Sequence, residues 1–347
     1  LHCAPRQRIL IAPSDHLNNQ KLSIRMWRAF LAALWLMPDA HAALAQAQTP
    51  AWPSKPVRIS VPVTAGSAID LVCRTVFDQV SQQLGQPFII DNRGGGGGTL
   101  APAAVAKADP DGYTLLSHSP SLTIFPATHN TLPYDTERDF TGVVALVNTP
   151  FLLVVSPEKY KTAGELVAAA RAKPGALNYA SVGHGGAAHI NAERFRLSAR
   201  IDVQQIPFRG VQEALTELLA GRVDFFFTPV LPSMPLIRDG RILPLAVSSN
   251  KRISSLPDLP TLAEAGYPDS DFPFWIGVFA PSKTPRDIQE KLYRETAKAL
   301  QLKNVQDKLT ALGGEPFEMT SSEFDAFFRA QIKQNRELVK AADVKPH

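Results

Sequence analysis

The sequence predicts an α/β protein of two lobes joined by two crossings, on three observations. Short β-branched runs alternate with longer stretches of helical period, the pattern of largely parallel sheets with helices between their strands. A long apolar run over 143–155 is broken at Asn148-Thr149-Pro150, which suits a chain leaving one sheet for another. A further apolar run over 275–280 lies late enough to bring it back. Residues 52–150 are therefore expected to begin lobe 1, 151–270 to form lobe 2, and 271–347 to return to lobe 1 and close with the C-terminal helices.

The first strand is expected over 57–63, followed by a helix over 71–84 that carries Leu71, Val72, Phe77, Val80 and Leu84 on roughly one face. A strand over 87–91 leads through the glycine run 94–98 into a helix over 100–108, and Asp111-Gly112-Tyr113 turns the chain into a strand over 114–117. In the second unit a helix over 163–172, one from about 188 and one over 211–220 alternate with strands over 177–181, 203–207 and 223–227. A strand over 243–248 completes that unit, and helices over 285–300 and 322–339 end the chain. Lobes so connected make a hinged clamp. Its ligand is expected beyond the carboxyl ends of the strands, where helices begin.

Apolar and charged fractions of 45% and 20% are those of an ordinary globular chain. The net charge of +4 suggests a nucleic-acid partner until it is located: most of the excess falls within residues 1–42, and the remainder is close to neutral. That basic front end has the order of a secretory leader. Lys21, Arg25 and Arg28 precede an apolar run over 29–37, and Ala40-His41-Ala42 supplies small residues at the cleavage spacing. Residues 1–45 are read as a signal peptide, with Ala43-Leu44-Ala45 as a second cleavage site and Met26 as an alternative start. The apolar run is too short to span a bilayer. Of two cysteines, Cys3 lies in the leader, so Cys73 has no partner for a disulfide within the remaining chain. No cysteine follows the apolar run, which argues against a lipid anchor. A periplasmic protein is expected.

Two strand-to-helix loops carry the chemistry. The first, Thr64-Ala65-Gly66-Ser67-Ala68-Ile69-Asp70, is built of small residues that leave N–H groups open at a helix start, where an anion is favoured; Asp70 is either part of that site or a plain N-cap. The second, Ser181-Val182-Gly183-His184-Gly185-Gly186-Ala187-Ala188-His189, offers a hydroxyl and further N–H groups to a carboxylate. It also matches G-x-G-x-x-A, which raises a nucleotide-dependent enzyme using Gly183 to Ala188 as the alternative function. That alternative needs an acidic residue at the end of the next strand, and Asp202 stands before it. His184 and His189 have no third ligand near them in sequence, so no metal and no cofactor is assigned. Tyr179 occupies the place where a nucleophile elbow around Ser181 needs glycine, so no catalytic residue is assigned either. Ser117 ends a strand and either faces the cleft or helps cap the next helix. Pro207, Phe208 and Thr228, at the ends of two lobe 2 strands, complete the candidate ligand-binding set.

Read together, several segments resemble the Bug-type, TctC-like extracytoplasmic solute receptors of tripartite tricarboxylate transport. They include Trp52-Pro53-Ser54-Lys55-Pro56-Val57-Arg58, Ala68-Ile69-Asp70, Asp91-Asn92-Arg93 before glycines, and Ala108-Asp109-Pro110-Asp111-Gly112-Tyr113. Further on come Asn178-Tyr179-Ala180-Ser181-Val182-Gly183, Ile206-Pro207-Phe208-Arg209-Gly210, Leu256-Pro257-Asp258-Leu259-Pro260-Thr261 and Trp275-Ile276-Gly277-Val278-Phe279-Ala280-Pro281. The resemblance implies a type II periplasmic-binding-protein fold and a small organic acid ligand. One carboxylate would be held by the loop from Ser181 to Gly185, and the loop from Thr64 to Asp70 would reach the ligand directly or through water. It implies as partners the membrane subunits of a transporter, or a sensor kinase, and no nucleic acid. Similar proteins commonly carry threonine where Ile69 stands. Ile69 therefore either faces an apolar end of the ligand or packs into the core beneath the loop.

Overall fold

The computed structural model describes residues 52–346, so the expected leader over 1–45 lies outside the described residues. The described chain folds around two sheets. In the first, six strands run in the order β11-β4-β10-β3-β1-β2. These are β1 (Val57–Val61), β2 (Phe88–Asn92), β3 (Thr114–His118), β4 (Phe140–Asn148), β10 (Trp275–Pro281) and β11 (Glu315–Pro316). In the second, five strands run in the order β7-β6-β8-β5-β9. These are β5 (Phe151–Val155), β6 (Asn178–Val182), β7 (Gln204–Phe208), β8 (Phe225–Pro229) and β9 (Leu243–Val247).

Helices fill the connections. Lobe 1 carries α1 (Ala68–Leu84), α2 (Leu100–Val105), α3 (Ser121–Thr128) and α4 (Thr136–Asp139). Lobe 2 carries α5 (Ala163–Ala172), α6 (Ala187–Ala199), α7 (Val211–Leu219) and α8 (Val230–Arg238). After β10 come α9 (Arg286–Gln301), α10 (Lys303–Ala311) and α11 (Ser321–Ala341). Strand β1 runs parallel to β2 and β3, and β6 parallel to β7 and β8, as β-α-β units require. Antiparallel pairs lie next to the change of sheet, β10 beside β3 and β4 and β5 beside β8 and β9, and the short β11 also runs antiparallel to β4.

The apolar run over 143–155 is thus two strands, β4 in one sheet and β5 in the other, with the chain passing between sheets at Thr149-Pro150. The return passes through Phe274 into β10. The two crossings are tied together, because Thr149 N–H donates to the Phe274 carbonyl at 2.7 Å. All seven residues of β10 are buried, which places it centrally rather than at an edge. Gly277 is required there: a Cβ on it would overlap the ring of Phe324 from α11. That ring, with Phe328, Trp275 and Phe279, makes a second apolar cluster on the α11 side of the sheet.

Helix α11 begins with a capping box between Thr320 and Glu323 and buries Phe324, Phe328 and Ile332 against lobe 1. Farther along, Asn335 donates to Thr123 of α3 at 2.8 Å. Its far end touches lobe 2: Arg196 of α6 donates to the Ala342 carbonyl at 3.0 Å, and His184 Nε2 lies 3.1 Å from the Lys345 carbonyl. Beside the two covalent crossings, the helix therefore forms a third, non-covalent span.

Most expected elements shift only at their ends. Helix α1 starts three residues earlier than the apolar period indicated, because Ser67 caps it. The helix expected over 100–108 stops at Val105. Helices α4, α8 and α10 and the short β11 were not expected, and α3 was expected only as a helix after Ser117, without bounds; Pro235 inside α8 masks its helical period, and Val230 and Ser233 are still buried there.

Candidate functional site

The loop from β1 to α1 is built to hold one shape. Ser67 is the N-cap of α1, its Oγ accepting the Asp70 N–H at 3.4 Å, so Asp70 is not the cap. The Asp70 side chain, in a residue 1% exposed, accepts instead from Gly66 N–H at 2.8 Å, from Asn92 Nδ2 at 2.9 Å and from Arg74 Nε at 3.1 Å. Asn92 also donates to the Val63 carbonyl at 3.1 Å and accepts from Arg74 at 3.0 Å. Burial alone would raise the Asp70 carboxyl, but the hydrogen bonds from Arg74, Gly66 and Asn92 outweigh it and hold the group below the usual carboxylate range. Asp70 thereby fixes the loop. Thr64, Ala65 and Gly66 stand exposed at its tip, with Ser67 and Ala68 half-buried. Ile69 is 5% exposed and belongs to the main core, which favours the packing alternative over the ligand-facing one.

Arg74 and Asn92 were absent from the sequence-derived site. The Asp70–Arg74 pair carries a readable signal, opposite charges four apart on a helix. Asn92 reaches the loop from β2, and only the parallel pairing of β1 with β2 brings it there.

Ser117 does not reach the cleft. It is fully buried, and its Oγ donates to the Gly277 carbonyl at 3.2 Å within the sheet. His118, next to it, accepts from Ser119 N–H at 2.9 Å and is pushed by burial from 6.5 to about 4, so it stays neutral. The glycine run borders the first loop: Gly94 lies against Val63 and Thr64, and Gly98 against Pro62 and the Phe125 ring of α3.

In lobe 2 the loop from β6 to α6 is arranged differently. Gly183 N–H donates to the Phe208 carbonyl at 3.0 Å and Gly185 N–H to His189 Nδ1 at 2.9 Å, so neither is open to a ligand as the sequence suggested. Ser181 Oγ accepts from Gln205 Nε2 at 2.7 Å and donates to the Gly183 carbonyl at 3.1 Å. The start of α6, whose N-cap is the half-buried Gly186, has no side-chain cap, and Ala187, Ala188 and His189 after it are buried. Its first-turn N–H groups retain the partial positive charge of a helix N-terminus.

His189 is 3% exposed and accepts a hydrogen bond on Nδ1, which places its proton on Nε2. Burial, with smaller contributions from His184 and Arg196, pushes it from 6.5 to about 3. His184 lies against the His189 ring and holds Gln205 Oε1 at 3.0 Å. Behind them Tyr179 donates to Glu193 at 2.6 Å, and burial together with the Glu193 charge raises the phenol far above its ordinary value. Pro207 stands exposed on β7, the outer strand of the sheet, where a residue without an N–H is tolerated. Phe208 is half-buried. Thr228 is fully buried, its hydroxyl 2.9 Å from Ser233 in the first turn of α8.

The structure thus gathers the first loop, the glycine run and α3 at one end of lobe 1. Gly185 of lobe 2 comes against Thr128 of that same α3. Asp202 precedes β7 and is not at the ribose end of a nucleotide site. Among the described residues, no group of three or more His, Cys, Asp or Glu is placed to hold a metal ion, and no helix is long and apolar enough to cross a membrane.

Two α/β lobes with two tied crossings, the β6–α6 loop of one meeting α3 of the other, define a solute receptor of the two-lobed periplasmic-binding type. The family described as tripartite tricarboxylate transporter family receptor, TctC, matches residues 72–344, and the chain belongs to it. A protein from the tcbD-tcbE intergenic region of Pseudomonas sp. (strain P51) is 36% identical over 288 residues, covering 82% of this chain and 85% of its own. BugT of Bordetella pertussis is 31% identical over 297 residues, covering 85% and 91%. Among solved structures, an R. palustris protein with adipate has a TM-score of 0.78 at 32% identity, covering 85% of this chain and 100% of its own. MatC from Rhodopseudomonas palustris with bound malate has a TM-score of 0.73 at 30% identity, covering 83% and 100%. The family match and the Bug-named relative lend no support to the nucleotide-dependent alternative.

Proposed function

We propose that this receptor captures a small organic acid between its lobes, seats one carboxylate on the first-turn N–H groups of α6, and performs no chemistry on it. The start of α6, which has no side-chain cap and follows the glycine that meets Thr128 of lobe 1, carries this reading. Two similar proteins were solved with adipate and with malate, both dicarboxylates, which supports the same ligand class. Segments 52–150 and 271–347 act as one lobe and 151–270 as the other, and closing the two on the acid presents it to the membrane subunits of a transporter. Residues 1–45 direct export and are removed, so the first residue of the periplasmic protein is expected near position 43 or 46 by N-terminal sequencing.

Mass spectrometry of small molecules released from the purified protein, followed by calorimetry with mono-, di- and tricarboxylates, tests the ligand class. Saturable binding of at least one carboxylate is expected, abolished for the matching amide. Equal binding of acid and amide would remove the carboxylate from the recognition.

A further inference from the structure

The lobes meet at a point where one side has no side chain at all. Gly185 sits with φ +70° against Thr128, the last residue of α3. A Cβ built on Gly185 would lie 2.6 Å from the Thr128 Cβ, 2.8 Å from its Oγ1 and 3.0 Å from its Cγ2. Unstrained carbon contacts run at about 3.5 to 4.0 Å, so any other residue would force the loop and α3 apart. Thr128 has no room to yield. It is fully buried, with its hydroxyl 3.4 Å from the Ile124 carbonyl and 3.2 Å from His129 Nδ1, and α3 is held from behind by Asn335.

Gly183, two residues earlier, provides an internal contrast. It has the same φ of +70°, yet a Cβ there would meet nothing within 4 Å. The backbone alone favours glycine at 183, whereas at 185 the backbone and the opposing lobe both demand it.

We infer that Gly185 and Thr128 form the closure seam of the receptor, positioning residues that set how far the lobes approach and therefore how closely the start of α6 is brought to the ligand. This rests on the reading of the interlobe cleft as the ligand site. The seam is not itself a ligand contact, since the Gly185 N–H is held by His189 and the Thr128 hydroxyl by its own helix. A methyl group at 185 acts as a wedge. It opposes the closed arrangement and adds to the open one only the left-handed backbone strain that Gly183→Ala shares.

The test reads distance and affinity together. Spin labels on Lys107→Cys in lobe 1 and Arg209→Cys in lobe 2, both exposed positions, report the interlobe distance, and the buried Cys73 stays unlabelled. Calorimetry with adipate as probe reports affinity. Gly185→Ala is expected to lose the short-distance population and to weaken adipate by about tenfold or more. Gly183→Ala, which carries the backbone strain alone, is expected to weaken it by less than about threefold. Thr128→Gly, which removes the opposing Cβ, is expected to restore the Gly185→Ala protein. Equal losses for the two alanines, or no rescue by Thr128→Gly, would overturn the seam. Failure of adipate and related acids to bind wild type would count against the carboxylate ligand instead. The distances measured without ligand still judge the seam: a single distribution shared by wild type and Gly185→Ala would overturn it.

Discussion

The loop from β1 to α1 and the loop from β6 to α6 occupy the same place in their two sheets, yet they use their polar groups in different ways. In lobe 1 the helix start is closed: Ser67 caps it, and Asp70, Asn92 and Arg74 bind the loop into a unit of charged and neutral hydrogen bonds. In lobe 2 the glycine N–H groups are turned inward to Phe208 and His189, while the first turn of α6 is left without a side-chain cap. A receptor needs one surface that keeps its shape and another with unfilled donors. The contrast shows that a shared motif, strand to small-residue loop to helix, does not decide which of these a loop becomes. The groups that meet the loop decide it: Asn92 from β2 and Arg74 from α1 in lobe 1, the Phe208 carbonyl from β7 and His189 from α6 in lobe 2.

The largest expected effect tests the closed loop. Asp70→Ala leaves Gly66 N–H, Asn92 and Arg74 without their acceptor and should lower stability by about 3 kcal/mol, read as a fall in the denaturant midpoint at unchanged slope. Because the folded carboxyl is held below its ordinary value, this stabilisation is present at neutral pH and is lost as pH falls through and below the ordinary carboxylate range near 3.8. A loss below about 0.5 kcal/mol would mean that the loop keeps its shape without Asp70.

Acid should reach the lobe 2 loop first, which sharpens the comparison. His189 is held neutral down to about 3, against 6.5 when unfolded, so between those values the unfolded chain binds the extra proton and stability falls with acidification. The expected slope is about 1.4 kcal/mol per pH unit below 6.5 for each such histidine, and buried His118, at about 4, adds to it. His189→Gln, which still offers an oxygen near the Gly185 N–H, should flatten part of this dependence in chemical denaturation measured from pH 7 to 5. An unchanged slope would remove His189 from the account.

A smaller effect is expected at Ile69. Placing a hydroxyl in the core by Ile69→Thr should lower stability by about 1 to 2 kcal/mol and leave the ranking of carboxylates alone. A reordered ranking in calorimetry would return Ile69 to the ligand site. The smallest concerns Gly183, where Ala brings only a left-handed backbone strain of about 1 kcal/mol in thermal unfolding.

The two-sheet architecture was legible because it is written in local periods. The helix over 163–172 matches α5 residue for residue, and the break at Asn148-Thr149-Pro150 marks the change of sheet. The bounds of two helices with proline past the first turn were not legible, since Pro235 in α8 and Pro126 in α3 interrupt the period while surrounding burial sustains the helix. At the site, the loops were found but not their wiring. Asn92 acts on Asp70 across 22 positions, and Thr128 meets Gly185 only because α3 and α6 come from different sheets. Glycine at 185 reads in sequence as freedom for a ligand, whereas the structure shows it also as space for the other lobe.

Strand β10 has a consequence for how the chain matures. It is the strand between β3 and β4 and comes from residues 275–281, far along the chain, whereas lobe 2 needs nothing beyond β9 to complete its sheet. As the polypeptide is made amino end first, lobe 2 has all its strands while lobe 1 still lacks its middle one. Lobe 1 then has β2, β1 and β3 on one side and β4 alone on the other, with unpaired edges until Trp275 and Phe279 arrive, and Phe324 and Phe328 follow to cover them. A chain cut short anywhere before β10 would therefore leave those edges unpaired, in a form open to aggregation and proteolysis.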